Sequence, residues 1–527
     1  VVPVDVRKLH RWPLLILALA ASGGCMVGPD YRPPSAPVAS EWIASGNPSV
    51  QSALPVTRDW WRAFADPTLD LLVDMAYGQN LSLQAAGLRV LQSQATRGIA
   101  VGGLFPQTQS LRAVYEHDVT SQKTGSSVLG LTTFDGFRAG LDVAWEVDLW
   151  GRFRRGIEAA DGELLASLAD YDDVLTSLVG QVASTYLQIR VAEARLALAE
   201  GNVRVQRDSL RITQIRFEAG GTSELDVQQA LSQLTDTEAL IPARQIEIAQ
   251  ARNALAVLLG MPPAELGDLL GVSAGIPQAP PTVAVGIPAD LIRRRPDVRA
   301  AERRLAAQSA RIGVALSDLL PRLQLVGSVG LNADDAAKFF EGRAFEAVAG
   351  PQFAWPILNY GRLINQVRVQ DATFQAQVAT FTNTVLTAQQ EVENALVGYT
   401  RGADQVGHLD KAVAAANRAV DLSLIQYREG AADFTRVLTA QQAKLDEDDA
   451  LAISRGNVSL SVIDLYRALG GGWELRSGRD VVPEGVKTEM ADRTWWGDLL
   501  DADQRAQNVD GDGTDLPAVT DSWWPQW

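Results

Sequence analysis

From Gly156 to Phe217 the chain contains no proline, and one register of positions steps alternately by four and three through Leu164, Leu168, Tyr171, Leu175, Leu178, Val182, Thr185 and Ile189. That spacing is the seam of a coiled coil. A helix of roughly 60 residues rises about 90 Å, several times the usual globular length. The same register returns as Phe374, Val378, Phe381, Val385, Ala388, Val392, Ala395 and Tyr399, each 210 positions after its counterpart.

Ahead of each seam the period changes to two. Leu111, Ala113 and Tyr115 alternate with Arg112, Glu116 and Asp118, and then Ala139, Leu141, Val143, Trp145 and Val147 with Arg138, Asp142, Glu146 and Asp148. Leu323, Leu325 and Val329, followed by Phe345, Ala347, Phe353 and Trp355, give the second pair. Two strands per unit are predicted, apolar on one face and charged on the other. They suit a sheet between lipid and water, with Asp142, Glu146 and Asp148 facing water inside a barrel. A soluble half-buried sheet would alternate in the same way.

Each unit thus reads helix, two strands, long helix, sharp turn, shorter helix. Gly151-Arg152 and Gly361-Arg362 match where strand gives way to helix, Phe217 matches Tyr427 and Gly220 matches Gly430, all at the offset of 210. Upstream, Ala85-Ala86, Arg89, Gly98 and Pro106 match Ala300-Ala301, Arg304, Gly313 and Pro321 at an offset of 215, so a loop between absorbs five residues. One unit has been duplicated. The expected organisation is a leader at 1–24, an N-terminal segment at 25–76, repeats at 77–270 and 287–474 joined by a linker at 271–286, and a tail at 475–527. The long helices end in "FEAGGTSELDV" and "YREGAADFTRV", where Gly220 and Gly430 supply left-handed C-caps and Ser223 and Asp433 cap the returning helices.

Composition narrows the function. At 46% apolar the chain can build a large core, and 47 Lys and Arg against 63 Asp and Glu leave a charge of −16, which sets nucleic acid aside. The single cysteine, Cys25, excludes a disulfide framework and a cysteine metal site. Arg7, Lys8 and Arg11 precede the apolar run Trp12 to Ala21 and then "ASGGC", the pattern of an export signal. Cys25 reads as a lipidation site whose acyl chains would anchor the protein permanently; a buried thiol is the alternative. The histidines His10, His117 and His408 fall in the leader, a strand and a helix and read as isolated surface residues. No nucleophile elbow, phosphate loop or zinc-spaced pair is present, so no enzyme, cofactor or metal is expected.

Beyond residue 25 no run of eighteen apolar residues could span a bilayer as a helix. A crossing would have to be a closed sheet. Four strands cannot close one, since eight is the minimum and open edges in lipid cost several kcal/mol per unsatisfied group. Three copies would pool twelve strands, with the long helices continuing the ring into water.

"CMVGPDYRPP", "WEVDLWGR", "RFEAGGTSELDVQQA", "RRRPDVRAAERRL", "YREGAADFTRVLTAQQA" and "LYRALGGGW", in that order over about residues 25 to 474, resemble the TolC/OprM-type outer membrane efflux proteins, lipoprotein branch. The resemblance implies a mainly α protein with a small β part: a homotrimeric channel-tunnel with a twelve-stranded β-barrel in outer membrane lipid, four strands per protomer, continuing into a helical barrel across the periplasm. It implies a passive exit duct for small molecules such as drugs, coupled through a periplasmic adaptor to an inner-membrane pump of the resistance-nodulation-division class. It implies a gate at the helical tips, where Tyr427 matches the family's tyrosine and Asp226 its linking aspartate. The two ring positions are held here by Arg436 and Thr439, and the usual tip arginine is replaced by Ala432. Arg436 then either faces its copies around the aperture or pairs sideways with Asp433 or Asp226. A type I secretion duct and a non-conducting, lipid-anchored periplasmic coiled-coil scaffold are the competing readings.

The tail lies outside that pattern. Acidic, rich in tryptophan and without periodicity, it is expected to be disordered. Asn508, Asp510, Asp512 and Gly513 fall at calcium-loop positions, but Val519 stands where the bidentate glutamate belongs, so no calcium site is expected.

Overall fold

A computed structural model describes residues 26–51, 58–119, 121, 133–263, 266–271, 273 and 275–500. Cys25, His10 and the calcium-loop positions lie outside the described residues. After Asp66, whose carboxylate caps the backbone of Thr68 and Leu69, come α1 (Pro67–Gln79) and α2 (Leu81–Gly102). Strands β1 (Thr108–Val119) and β2 (Thr133–Glu146) lead into α3 (Arg152–Glu218) and its return α4 (Glu224–Leu258). The second unit repeats the order as α5 (Pro296–Ser317), β3 (Arg322–Ala333), β4 (Phe345–Ala354), α6 (Arg362–Arg428) and α7 (Phe434–Ala468).

Both long helices have 67 residues and both returns have 35. Leu168, Tyr171, Leu175, Leu178, Val182 and Ile189 of the first seam are buried, as are Phe381, Val385, Ala388, Val392, Ala395 and Tyr399 of the second. The seams meet in one core that also takes in Trp60, Trp61 and Phe64, with Trp60 stacked on Tyr466 at 5.6 Å. Among the described residues no helix is long and apolar enough to cross a membrane.

These four strands form one antiparallel sheet in the order β1-β2-β3-β4, while the short segments Val50–Gln51 and Val283–Ala284 pair in parallel apart from it. Its register puts Leu111, Leu141, Val329 and Ala347 in one row, and Ala113, Ala139, Leu331 and Phe345 in the next. Because side chains alternate, the opposite face carries Ser110, Asp142 and Ser328 in one row and Arg112 and Glu346 at the ends of another. Among the described residues nothing covers the apolar face: Leu111 is 83% exposed and Phe353 65%. A soluble half-buried sheet would not leave that face bare.

Two expectations change. Asp148 does not face barrel water: it accepts from the backbone N–H groups of Phe153 and Arg154 and pairs with the Arg154 guanidinium at 3.2 Å, because the first N–H groups of α3 need acceptors. The tail, expected to be disordered over 475–527, is folded at 475–500 and contains α8 (Glu484–Arg493); 501–527 lie outside the described residues. Val482 and Met490 bury against Leu91 of α2, and Lys487 is buried between Asp480 and Glu484. Bulk acidity hid these few apolar anchors and the internal neutralisation of charge.

Candidate functional site

The apolar face of the sheet is bounded by aromatic residues at both ends. Tyr115 packs on Phe137 at 4.9 Å near one end, with Phe345 one row away. Trp145 lies eight residues along β2 from Phe137, about 27 Å of strand at 3.4 Å per residue; Phe353 of β4 lies one row further toward the helices, and Trp355 follows just past the end of β4. At the strand tilt of about 35–45° that barrels adopt, this length spans about 19–22 Å of membrane between two aromatic girdles, close to the roughly 25 Å apolar band of outer membrane barrels. At the helical end the indoles of Trp145, Trp150 and Trp355 donate to the carbonyls of Leu104, Pro321 and Leu319 at 2.9, 2.7 and 3.0 Å. Each indole thus spends its one donor on a backbone carbonyl and leaves no unmet polar group on an otherwise apolar ring, which suits an interfacial tryptophan. His117 is not the isolated residue expected: its Nδ1 lies 2.7 Å from Asp135, which also accepts from the Tyr115 hydroxyl at 2.9 Å, past the far girdle.

Beneath the sheet, Gly151 and Gly361 take φ of 77° and 80° and turn strand into helix. Arg152 secures the first junction by ion pairs to Glu146 at 3.3 Å and Asp318 at 3.5 Å. Arg362 at the second is exposed. The junctions differ in what lies over them. At the first, Met26 packs so close to Gly151 that a Cβ there would come within 2.5 Å of the Met26 Cγ, and the Val27 N–H donates to the Trp150 carbonyl. The segment is held by Arg155, 2% exposed, which donates to the Val27 carbonyl and pairs with Asp30 at 2.8 Å. At the second junction Asn365 replaces Arg155, and a Cβ on Gly361 would meet nothing closer than 3.7 Å.

The far ends of the long helices close in tight turns. Gly220 and Gly430 have φ of 72° and 74°, a region costly to any side chain, and the N–H groups of Gly221 and Ala431 reach back to Arg216 and Gln426. Ser223 and Asp433 cap α4 and α7 through the backbone of Asp226 and Arg436. The Asp226 carboxylate closes the capping box by accepting from the Ser223 N–H and the Thr222 hydroxyl, and so does not reach Tyr427 within the chain. Tyr427 is buried edge-on against Phe434 at 5.4 Å, and its hydroxyl has no partner among the described residues. The sideways pairing of Arg436 does not occur: only its backbone meets Asp433, and its side chain is exposed. It shares with Thr439 the face of α7 turned away from the buried Phe434 and Val437.

Sequence reasoning missed Arg216, which ties the tip together. Its guanidinium lies 4.6 Å over the Tyr427 ring and donates to the Tyr427 carbonyl and, at 3.3 Å, to that of Gly221. Gln426 stands at its repeat counterpart, so repetition gave no signal; a cation in the last turn of α3 was the one hint.

Residues 72–261 and 287–471 match the model of a family described as outer membrane efflux protein. The chain belongs to the outer membrane efflux protein family. A pyoverdine export outer membrane protein of Pseudomonas putida is 32% identical over 89% of this chain and 98% of its own. A nodulation protein T of Rhizobium leguminosarum bv. trifolii is 32% identical over 83% and 92%. Among solved structures, the outer-membrane channel OprN matches 85% of this chain and all of its own at 34% identity, with a TM-score of 0.81. This efflux protein is therefore a channel of the outer membrane rather than an enzyme, with its helical part in the periplasm.

Proposed function

We propose that three copies of this efflux protein close one channel, through which small molecules pass passively from an inner-membrane pump to the outside. The observation that carries the reading is a face that is filled in one repeat and empty in the other. On α5, Ala300, Arg304, Ala307 and Arg311 pack against α3: Arg304 pairs with Asp170, Arg311 with Glu163 at 2.7 Å, and Ala307 fits against Gly162. Their counterparts on α2, namely Ala85, Arg89, Gln92 and Thr96, are exposed. So are Ala372, Thr373 and Thr380 of α6, the counterparts of Gly162, Glu163 and Asp170. Each copy thus offers one bare α2 face, one bare α6 face and the two open strand edges of β1 and β4. Head-to-tail pairing satisfies all four and closes into a ring. Three copies give twelve strands.

The N-terminal lipid on Cys25 belongs to the same picture, since Met26 packs at the junction where the strands leave the membrane. At the opposite end Tyr427, Asp226, Asp433, Gly220 and Gly430 shape the tip, and Arg436 and Thr439 line the aperture. An adaptor docks there and links the channel to a pump of the resistance-nodulation-division class. Several relatives carry efflux pump in their names, among them a solvent efflux pump outer membrane protein of Pseudomonas putida, 31% identical. The test is conductance. Purified protein added to a planar bilayer should give discrete channel steps; an oligomer that never conducts would favour the scaffold reading.

A further inference from the structure

The first helices of the two repeats each carry an extra segment of chain on the same face. On α5 the stripe 302, 306, 309, 313 takes the N-terminal segment: Ser309 donates to the Pro29 carbonyl at 3.4 Å, and a Cβ on Gly313 would lie 2.8 Å from the Val27 carbonyl. That segment also bears on α3 through Arg155, so it lies in the groove between α5 and its neighbouring long helix. The counterpart stripe on α2 is 87, 91, 94, 98, and there the C-terminal segment sits. A Cβ on Gly87 would collide with the Val481 carbonyl, and Leu91 is buried with Val482 and Met490 while Trp496 and Leu500 pack beside them.

The N-terminal segment has two walls, α5 and α3. Among the described residues the C-terminal segment rests on α2 and, through Arg479 lying 4.8 Å over the Tyr77 ring, on the end of α1, with no long helix of its own chain as a second wall; in the ring that wall is the α6 of another copy. We propose that residues 479–500 form a strap across the boundary between copies, seated on the α2 of their own chain and bearing on the α6 of the next. The inference rests on the ring described above.

Both surfaces are prepared for it. Trp495 is completely exposed beside the tucked Trp496, a placement that leaves a large apolar ring in water unless something covers it. The early turns of α6 offer Ile364 at 48% and Val369 at 54% exposure. Exposed Arg362 and Arg368 on that stretch complement exposed Glu489, Asp492 and Asp498 on the strap. The stretch matched by the family model ends at residue 471, before the strap begins.

The experiment places the photo-crosslinker p-benzoylphenylalanine at position 495 of the full-length chain and irradiates the detergent-solubilised oligomer. A two-chain adduct whose mapped peptides pair 495 with 362–380 is expected, and Gly87→Val, which unseats the strap, should abolish it. An intact oligomer giving only single-chain adducts overturns the strap and leaves the ring standing. A protein that is monomeric before irradiation overturns the ring and the strap with it. Ending the chain at Ser477 should lower the temperature at which the oligomer dissociates in detergent; an unchanged temperature would also count against the strap.

Discussion

Asp172→Ala is expected to cost about 3–5 kcal/mol of stability, because it strips a fully buried carboxylate from two guanidiniums. Asp172 is inaccessible on α3 and bridges Arg476 at 2.7 Å and Arg299 at 3.1 Å, joining the first repeat to the start of α5 and to the chain after α7. Arg299 also lies over the Trp473 ring at 5.0 Å. Removing the carboxylate leaves two cations facing each other in a desolvated site. The exposed pair Arg304 with Asp170, from the same basic motif, supplies the control: Arg304→Ala should cost under about 1 kcal/mol. Thermal unfolding in detergent measures both, and equal small losses would refute the importance of the Asp172 bridge.

Arg436→Asp is expected to reverse the ion selectivity of the channel. The Arg436 side chain has no ion pair among the described residues, and the nearby Asp433 carboxylate is occupied as a helix cap. Three such cations around a narrow opening repel cations and concentrate anions, and three aspartates do the opposite. In a salt gradient across a planar bilayer, the reversal potential of the wild type should lie on the anion side and that of Arg436→Asp on the cation side. Equal reversal potentials would place Arg436 away from the aperture.

The architecture was legible because it is written in periods. Steps of four and three over both seams, alternation in four strands, and the glycines at the tips each follow from backbone geometry, and the seams, junctions and tips recur at an offset of 210. What escaped notice breaks the repeat or spans long distances. Arg216 acts on Tyr427 from the other repeat, and its twin is Gln426. The hydrogen bonds of the Trp145, Trp150 and Trp355 indoles depend on carbonyls that only the fold brings near. Asp148 continues the strand alternation on paper but serves a helix start. In the tail, charge averaged over fifty residues conceals Val482 and Met490, and their seat on α2 lies nearly 400 positions away.

The central claim is that one chain, holding four strands with two open edges, is a third of a barrel. Native mass spectrometry of the detergent-solubilised, membrane-extracted protein tests it most directly. The account predicts a complex of three chains; a mass of one chain, or a closed assembly of any other number, would contradict it.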